Sequence, residues 1–157
     1  MNNLKGPDLM VSDLKKHVGF WLRLVSNHVS HSFARKLLAS GVTVAEWVVM
    51  RAMFADEKTS PGILAERMGM TRGGVSKLVD RLVTKKLITR RNRSDDRRFQ
   101  SIALTAAGRG MVPQLAALAD RNDEEFFHPL SAEERAALIA TLKKLARAHG
   151  LRQLPTE

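Results

Sequence analysis

The chain of 157 residues contains no cysteine, which excludes disulfides, thiolate metal sites and cysteine-based oxidant sensing. Aromatic residues are scarce, 5% against 44% hydrophobic overall, so any core must be mainly aliphatic. No run of roughly 18 apolar residues occurs, and the N-terminal MNNLKGPDLMVSDLKK lacks the apolar segment of a secretory signal, so a soluble cytoplasmic protein is expected, with no membrane partner. There is no Gly-x-Ser-x-Gly nucleophile elbow. Gly69 to Ser76 comes near a phosphate-binding loop, but Val75 stands where the lysine belongs and a helix pattern precedes it. His28 and His31 are three apart on a helix with no carboxylate or cysteine beside them, which suits a solvated or interfacial pair better than a metal site. Neither a metal, nor a cofactor, nor enzymatic chemistry is expected. Internal repeats and low-complexity segments are lacking too.

What is present is positive charge and one dense stretch of local signals. Lys plus Arg exceed Asp plus Glu by 26 to 16, a formal charge of +10 and a pI near 10.7, which favours a polyanionic partner. The stretch runs from Ser60 to Gly108. Ser60 and Pro61 open a short helix as N-cap and first helical residue, and Gly69 suits a left-handed C-cap. Thr71 caps a second helix, whose Val75, Leu78, Val79 and Leu82 fall at i, i+3, i+4 and i+7. Its other face carries Arg72, Gly73, Gly74, Ser76, Lys77, Arg81 and Lys85. Two short helices about a glycine turn, the second basic outside, follow the helix-turn-helix plan. Leu87–Arg91 and Gln100–Leu104 then read as paired strands, joined by a polar connection rich in arginine. Such a hairpin is a wing able to reach a minor groove.

These residues resemble the MarR family of bacterial transcription regulators. The matching pieces are Val75–Leu82 in the recognition helix, Asp96-Arg97-Arg98 in the wing and Leu104-Thr105-Ala106-Ala107-Gly108 after it. The resemblance spans about Leu14 to His149 and has two departures. Lys86 replaces the glycine of the family's Lys-Gly-Leu turn, and Gly73-Gly74 sits inside the recognition helix, where each glycine costs about 1 kcal/mol relative to alanine. The resemblance implies a homodimer on double-stranded DNA. It also implies an effector pocket where the long first helix, the second helix and the helix after the wing meet the DNA-binding lobe. Phe20, Trp21, His28, Trp47, Met50 and Arg51 are the local candidates, though residues of these types more often serve core or dimer packing. The implied ligand is a small phenolic or carboxylate compound.

The flanks supply the rest of the expected fold, which is mostly α with a small β-hairpin wing. A helical pattern from Asp8 to Ser40, with Leu14, Val18, Leu22, Val25, Val29, Phe33 and Leu37 on one stripe, predicts a first helix of roughly 30 residues, about 45 Å. Thr43 and Glu46 form a capping box for the next helix, with Val42 placed to staple against Trp47. After the wing Thr105 caps a long helix that Pro113 should kink, and Ser131 with Glu134 starts the last one. The expected division is residues 1–41 as an arm and dimerisation helix, 42–104 as a winged helix-turn-helix core, and 105–157 as C-terminal dimerisation helices. Within the core, Arg72, Ser76, Lys77 and Arg81 should lie closest to bases and phosphates, with Gly73 and Gly74 permitting close approach and Thr71 at the helix N-terminus. At the wing, Arg97 and Arg98 should reach the minor groove with Asp96 orienting one of them, while Arg91 and Arg93 are either DNA contacts or a solvated strand face. A DNA-binding regulator, in the sense of a repressor, is thus favoured over a ligand-independent architectural DNA binder. An enzyme using its winged helix for protein contacts is the remote third reading.

Overall fold

The computed structural model describes residues 11–92 and 100–156. Six helices and one hairpin follow in order: α1 (Val18–Ala39), α2 (Val44–Met53), α3 (Pro61–Met68), α4 (Arg72–Thr84), β1 (Ile88–Asn92), β2 (Gln100–Leu104), α5 (Ala106–Phe127) and α6 (Ala132–Ala148). The mostly helical winged-helix architecture expected from the sequence is present.

Most boundaries are set by local chemistry. The Thr43–Glu46 and Ser131–Glu134 capping boxes both form, and Ser60, Thr71 and Thr105 each accept an N–H of the first helical turn. The first helix differs from expectation. Asp13 Oδ1 accepts the Lys15 N–H at 3.0 Å and caps a single 3-10 turn, after which His17 is extended. α1 therefore begins only at Val18 and has 22 residues, so it is a helix of about 33 Å. Pro113 lies inside α5, a helix of 22 residues that continues past it to Phe127.

The hairpin is antiparallel, pairing Ile88 with Leu104 and Arg90 with Ile102. Thr59, just before α3, exchanges two backbone hydrogen bonds with Ile102 (2.9 and 2.8 Å) and so adds a rung on the other edge of β2. One core forms between α2, α3, α4 and the hairpin, built on Met50, Met53, Leu64, Met68, Val75, Val79, Leu82 and Ile102. Leu37 from the end of α1 and Val112 and Leu115 from α5 close it. Trp47 is its one buried aromatic residue, so the core is aliphatic and methionine-rich, as the composition implied. Beyond this core α1 and α5 pack on each other. Buried Asn122 accepts from Lys36 Nζ at 3.0 Å and donates to the Val29 carbonyl at 3.3 Å, and Lys36 also pairs with Glu125. α6 has no buried residue.

Candidate nucleic-acid interface

α3 ends because Gly69 turns left-handed at φ +65, and the Met70 N–H closes onto the Ala65 carbonyl at 2.9 Å. Two residues later the Thr71 hydroxyl accepts the Gly74 N–H at 3.1 Å and α4 starts. Val75, Leu78, Val79 and Leu82 are buried together, which fixes the rotation of α4 about its own axis. The opposite side is thereby presented to solvent: Thr71, Arg72, Gly73, Lys77 and Arg81 are exposed, and Gly74 and Ser76 are half-buried. Arg72 leans back over the first turn of α3, where its guanidinium would sit 3.6 Å from a Cβ at Gly62.

The two glycines of α4 have different reasons. A Cβ at Gly74 would stand 3.1 Å from the Thr71 hydroxyl and press on the cap. A Cβ at Gly73 would meet only open space. Packing within this chain therefore accounts for Gly74 and leaves Gly73 without a structural reason.

The hairpin is tied to the recognition helix. Arg90 points inward and its Nη2 reaches Asp80 Oδ1 of α4 at 2.7 Å, whereas Arg91, the next residue on the strand, is exposed. Arg93, Asp96, Arg97 and Arg98, the expected wing-tip residues, lie outside the described residues.

Several contacts that hold this surface have no signal in the sequence, although most of the residues that make them do. Lys85, expected on the solvent face of α4, folds back to Glu46 Oε2 at 2.7 Å and to the Gly41 carbonyl at 2.8 Å. Glu46 is 1% exposed. Burial opposes its ionisation, but the hydrogen bonds and charge of Lys85 and the Thr43 N–H outweigh that, so its carboxyl is held below the ordinary range. At the other side, the first turn of α5 grips both ends of the helix-turn-helix. Arg109 donates to the Phe54 and Asp56 carbonyls at 2.9 and 2.8 Å, before α3. Thr105 Oγ1 donates to the Lys86 carbonyl at 2.8 Å, and its N–H to that of Leu87 at 3.0 Å, after α4. A Cβ at Gly108 would fall 2.2 Å from the Leu87 oxygen, which explains the glycine of the Leu-Thr-x-x-Gly sequence.

The six effector candidates occupy three environments. Trp47 and Met50 are buried in the winged-helix core, while Arg51 on the same helix is exposed. Phe20 and Trp21 stack edge to face near the start of α1, with Trp21 Nε1 bound to the Lys15 carbonyl at 2.8 Å. His28 lies against Phe126 of α5, ring centroids 5.9 Å apart.

A model of the MarR family matches residues 40–98, which hold α2, the α3–α4 helix-turn-helix and β1. A protein of Thauera aromatica assigned to transcriptional regulation of the hcr operon is 29% identical over 141 residues, covering 89% of this chain and 85% of that protein. Over residues 40–98 the chain is similar to the MarR family of transcription regulators, and it shares the winged-helix structure of solved MarR proteins. It superposes on an Escherichia coli MarR mutant in complex with operator DNA with a TM-score of 0.73 and 25% identity, covering 85% of this chain and 99% of that one. With BpsR of Bordetella bronchiseptica, whose DNA binding is regulated by 6-hydroxynicotinic acid, the TM-score is 0.74 at 24% identity, over 87% of this chain and 97% of that one. Among the described residues no helix is long and apolar enough to cross a membrane.

Proposed function

We propose that the chain is a MarR-family regulator, a homodimeric repressor that reads a pseudo-palindromic operator and is released by a small phenolic or carboxylate effector. The observation that carries the reading is the outer face of α4. Gly73, Lys77 and Arg81 are exposed in a row while the opposite stripe is fixed in the core. In this reading α4 lies in the major groove, with Lys77 and Arg81 at bases and phosphates and with Ser76 and Arg72 beside them. Thr71 and the α4 N-terminus hold a phosphate. Arg97 and Arg98 of the wing enter the minor groove, oriented by Asp96, with Arg91 and Arg93 on neighbouring phosphates. Residues 42–104 form the reading unit, and the helices on either side join two copies so that their α4 helices meet one duplex face about one helical turn apart. The operator complex of the E. coli relative and the hydroxylated aromatic acid of BpsR support the DNA and effector classes.

The test is selection of duplexes from a random pool, followed by affinity titrations over a range of salt. A palindromic consensus supports the reading; equal affinity for every duplex would leave a sequence-neutral binder. Arg98→Ala should flatten the dependence of log affinity on log salt, and Lys77→Ala should change the preferred bases by about 1–3 kcal/mol. Thermal-shift screening of aromatic acids and phenols then supplies effectors. A true effector must bind less tightly when operator is present, by the same factor it weakens DNA, typically about 5–150-fold.

A further inference from the structure

We propose that the C-terminal tail, residues 151–156, is part of the DNA interface: it seats on the turn between α3 and α4 and holds Arg152 against a backbone phosphate beside the recognition helix. The proposal rests on the DNA reading of α4 given above. Its first support is the fit of the tail on the turn. The Leu154 N–H donates to the Met68 carbonyl, the last residue of α3, at 3.0 Å. A Cβ on Gly69 would stand 2.9 Å from Gln153 Cα, 3.2 Å from its N and 3.3 Å from the Arg152 carbonyl carbon. Glycine at 69 therefore answers two demands. One is the left-handed φ of +65, which asparagine also tolerates. The other is close passage of the tail backbone, which any side chain blocks.

The second support is charge. Gly69 and Thr71 are two residues apart, at most about 7 Å, so the tail crosses within about a dozen Å of the α4 N-terminus. That terminus already favours phosphate through its free N–H groups and dipole. A cleft of about 350 Å³ at the junction of α6 and the tail is lined by Lys143, Arg147 and Arg152, and its lining includes no carboxylate. A cationic cleft that shares Arg152 with the tail crossing this turn is matched by the phosphates that flank the bases read in the groove.

Four proteins separate the outcomes: the full chain, a chain ending at Gly150, Arg152→Ala, and Gly69→Asn. The probe is the duplex selected by the full chain, titrated across salt, with circular dichroism confirming that each protein is folded. Arg152→Ala should lower the slope of log affinity against log salt by about 0.9 and weaken binding about 5–10-fold at 0.1 M salt. Truncation should do at least as much. Gly69→Asn should reproduce the truncation in the full chain and add nothing in the shortened one. If Gly69→Asn fails to fold, Arg152→Ala and truncation still decide. An unchanged slope for Arg152→Ala overturns the contact, even where truncation weakens binding. If the full chain selects no duplex, the DNA reading itself has failed, a different result.

Discussion

Gly73 and Lys86 each break a local rule, and their reasons differ. Gly73 gives up about 1 kcal/mol of helix propensity at a position where a Cβ would meet nothing. Gly73→Ala should therefore raise the unfolding free energy by about 0.5–1 kcal/mol in denaturant titration. The same variant should bind operator more weakly, because the methyl group intrudes on the face proposed to approach the bases. Gain of both stability and affinity would remove that face from the interface. Lys86 is the one described non-glycine residue in the left-handed region, at φ +60. It is held there because the turn must deliver the Leu87 N–H to the Leu82 carbonyl at 2.9 Å while its own carbonyl receives Thr105. Lys86→Gly relieves the strain without disturbing either bond and should stabilise the fold by about 1 kcal/mol, measured as a rise in melting temperature. The unusual residue at this turn was visible in the sequence; the hydrogen bonds that hold it there were not.

Between elements, the most consequential pair is Glu46 with Lys85, which fastens the start of α2 to the end of α4. Because the folded carboxyl titrates below its unfolded value, the ionised pair stabilises the protein above about pH 4.5 and that stability is lost as the pH falls through the folded pKa. Glu46→Gln keeps a capping side chain but leaves Lys85 without its anion. It should cost about 1–2 kcal/mol at pH 7, the lower end if Lys85 rehydrates, and should show a shallower loss below pH 4.5. Equal slopes for the two proteins in acid would exclude Glu46 as a source of acid sensitivity. Caps, turns and apolar stripes were legible because their partners are three or four residues apart, as with Thr43 and Glu46 or Thr71 and Gly74. The ties between elements were not. Lys85 to Glu46, Arg109 to Phe54 and Lys36 to Asn122 join positions 39, 55 and 86 apart, where spacing carries no signal. The start of α1 was misplaced for a local reason. Apolar spacing continued through Leu14, but the Asp13 side chain competes for backbone N–H groups and breaks the helix into a separate turn.

At the scale of the molecule, the core accounts for the winged helix and leaves the flanking helices largely bare. Val18, Trp21, Leu22, Leu24 and Val25 on α1 and Leu138, Ile139, Leu142 and Leu145 on α6 are all at least 37% exposed. Apolar faces of that extent on two helices favour association with a second copy. Sedimentation at micromolar concentration should give a dimer, and the unfolding midpoint should rise with protein concentration, since folding and association are linked. A compact monomer with a concentration-independent midpoint would contradict the proposed assembly. The effector candidates stayed scattered at this scale because sequence spacing cannot show which faces of α1, α2 and α5 meet. The grip of the first turn of α5 on both ends of the helix-turn-helix also has a mechanical meaning. With its first turn clamped by Thr105, Gly108 and Arg109, α5 is a lever whose fulcrum lies at the Asn122 node with α1, about 24 Å along the helix from the clamped end. A tilt of about 5° at that fulcrum sweeps the clamped end through about 2 Å. Small changes in packing far from DNA are thereby magnified before they reach the groove. Substitutions around Asn122 and Lys36 should accordingly act as gear settings, retuning the half-site spacing that the protein prefers without touching a single base.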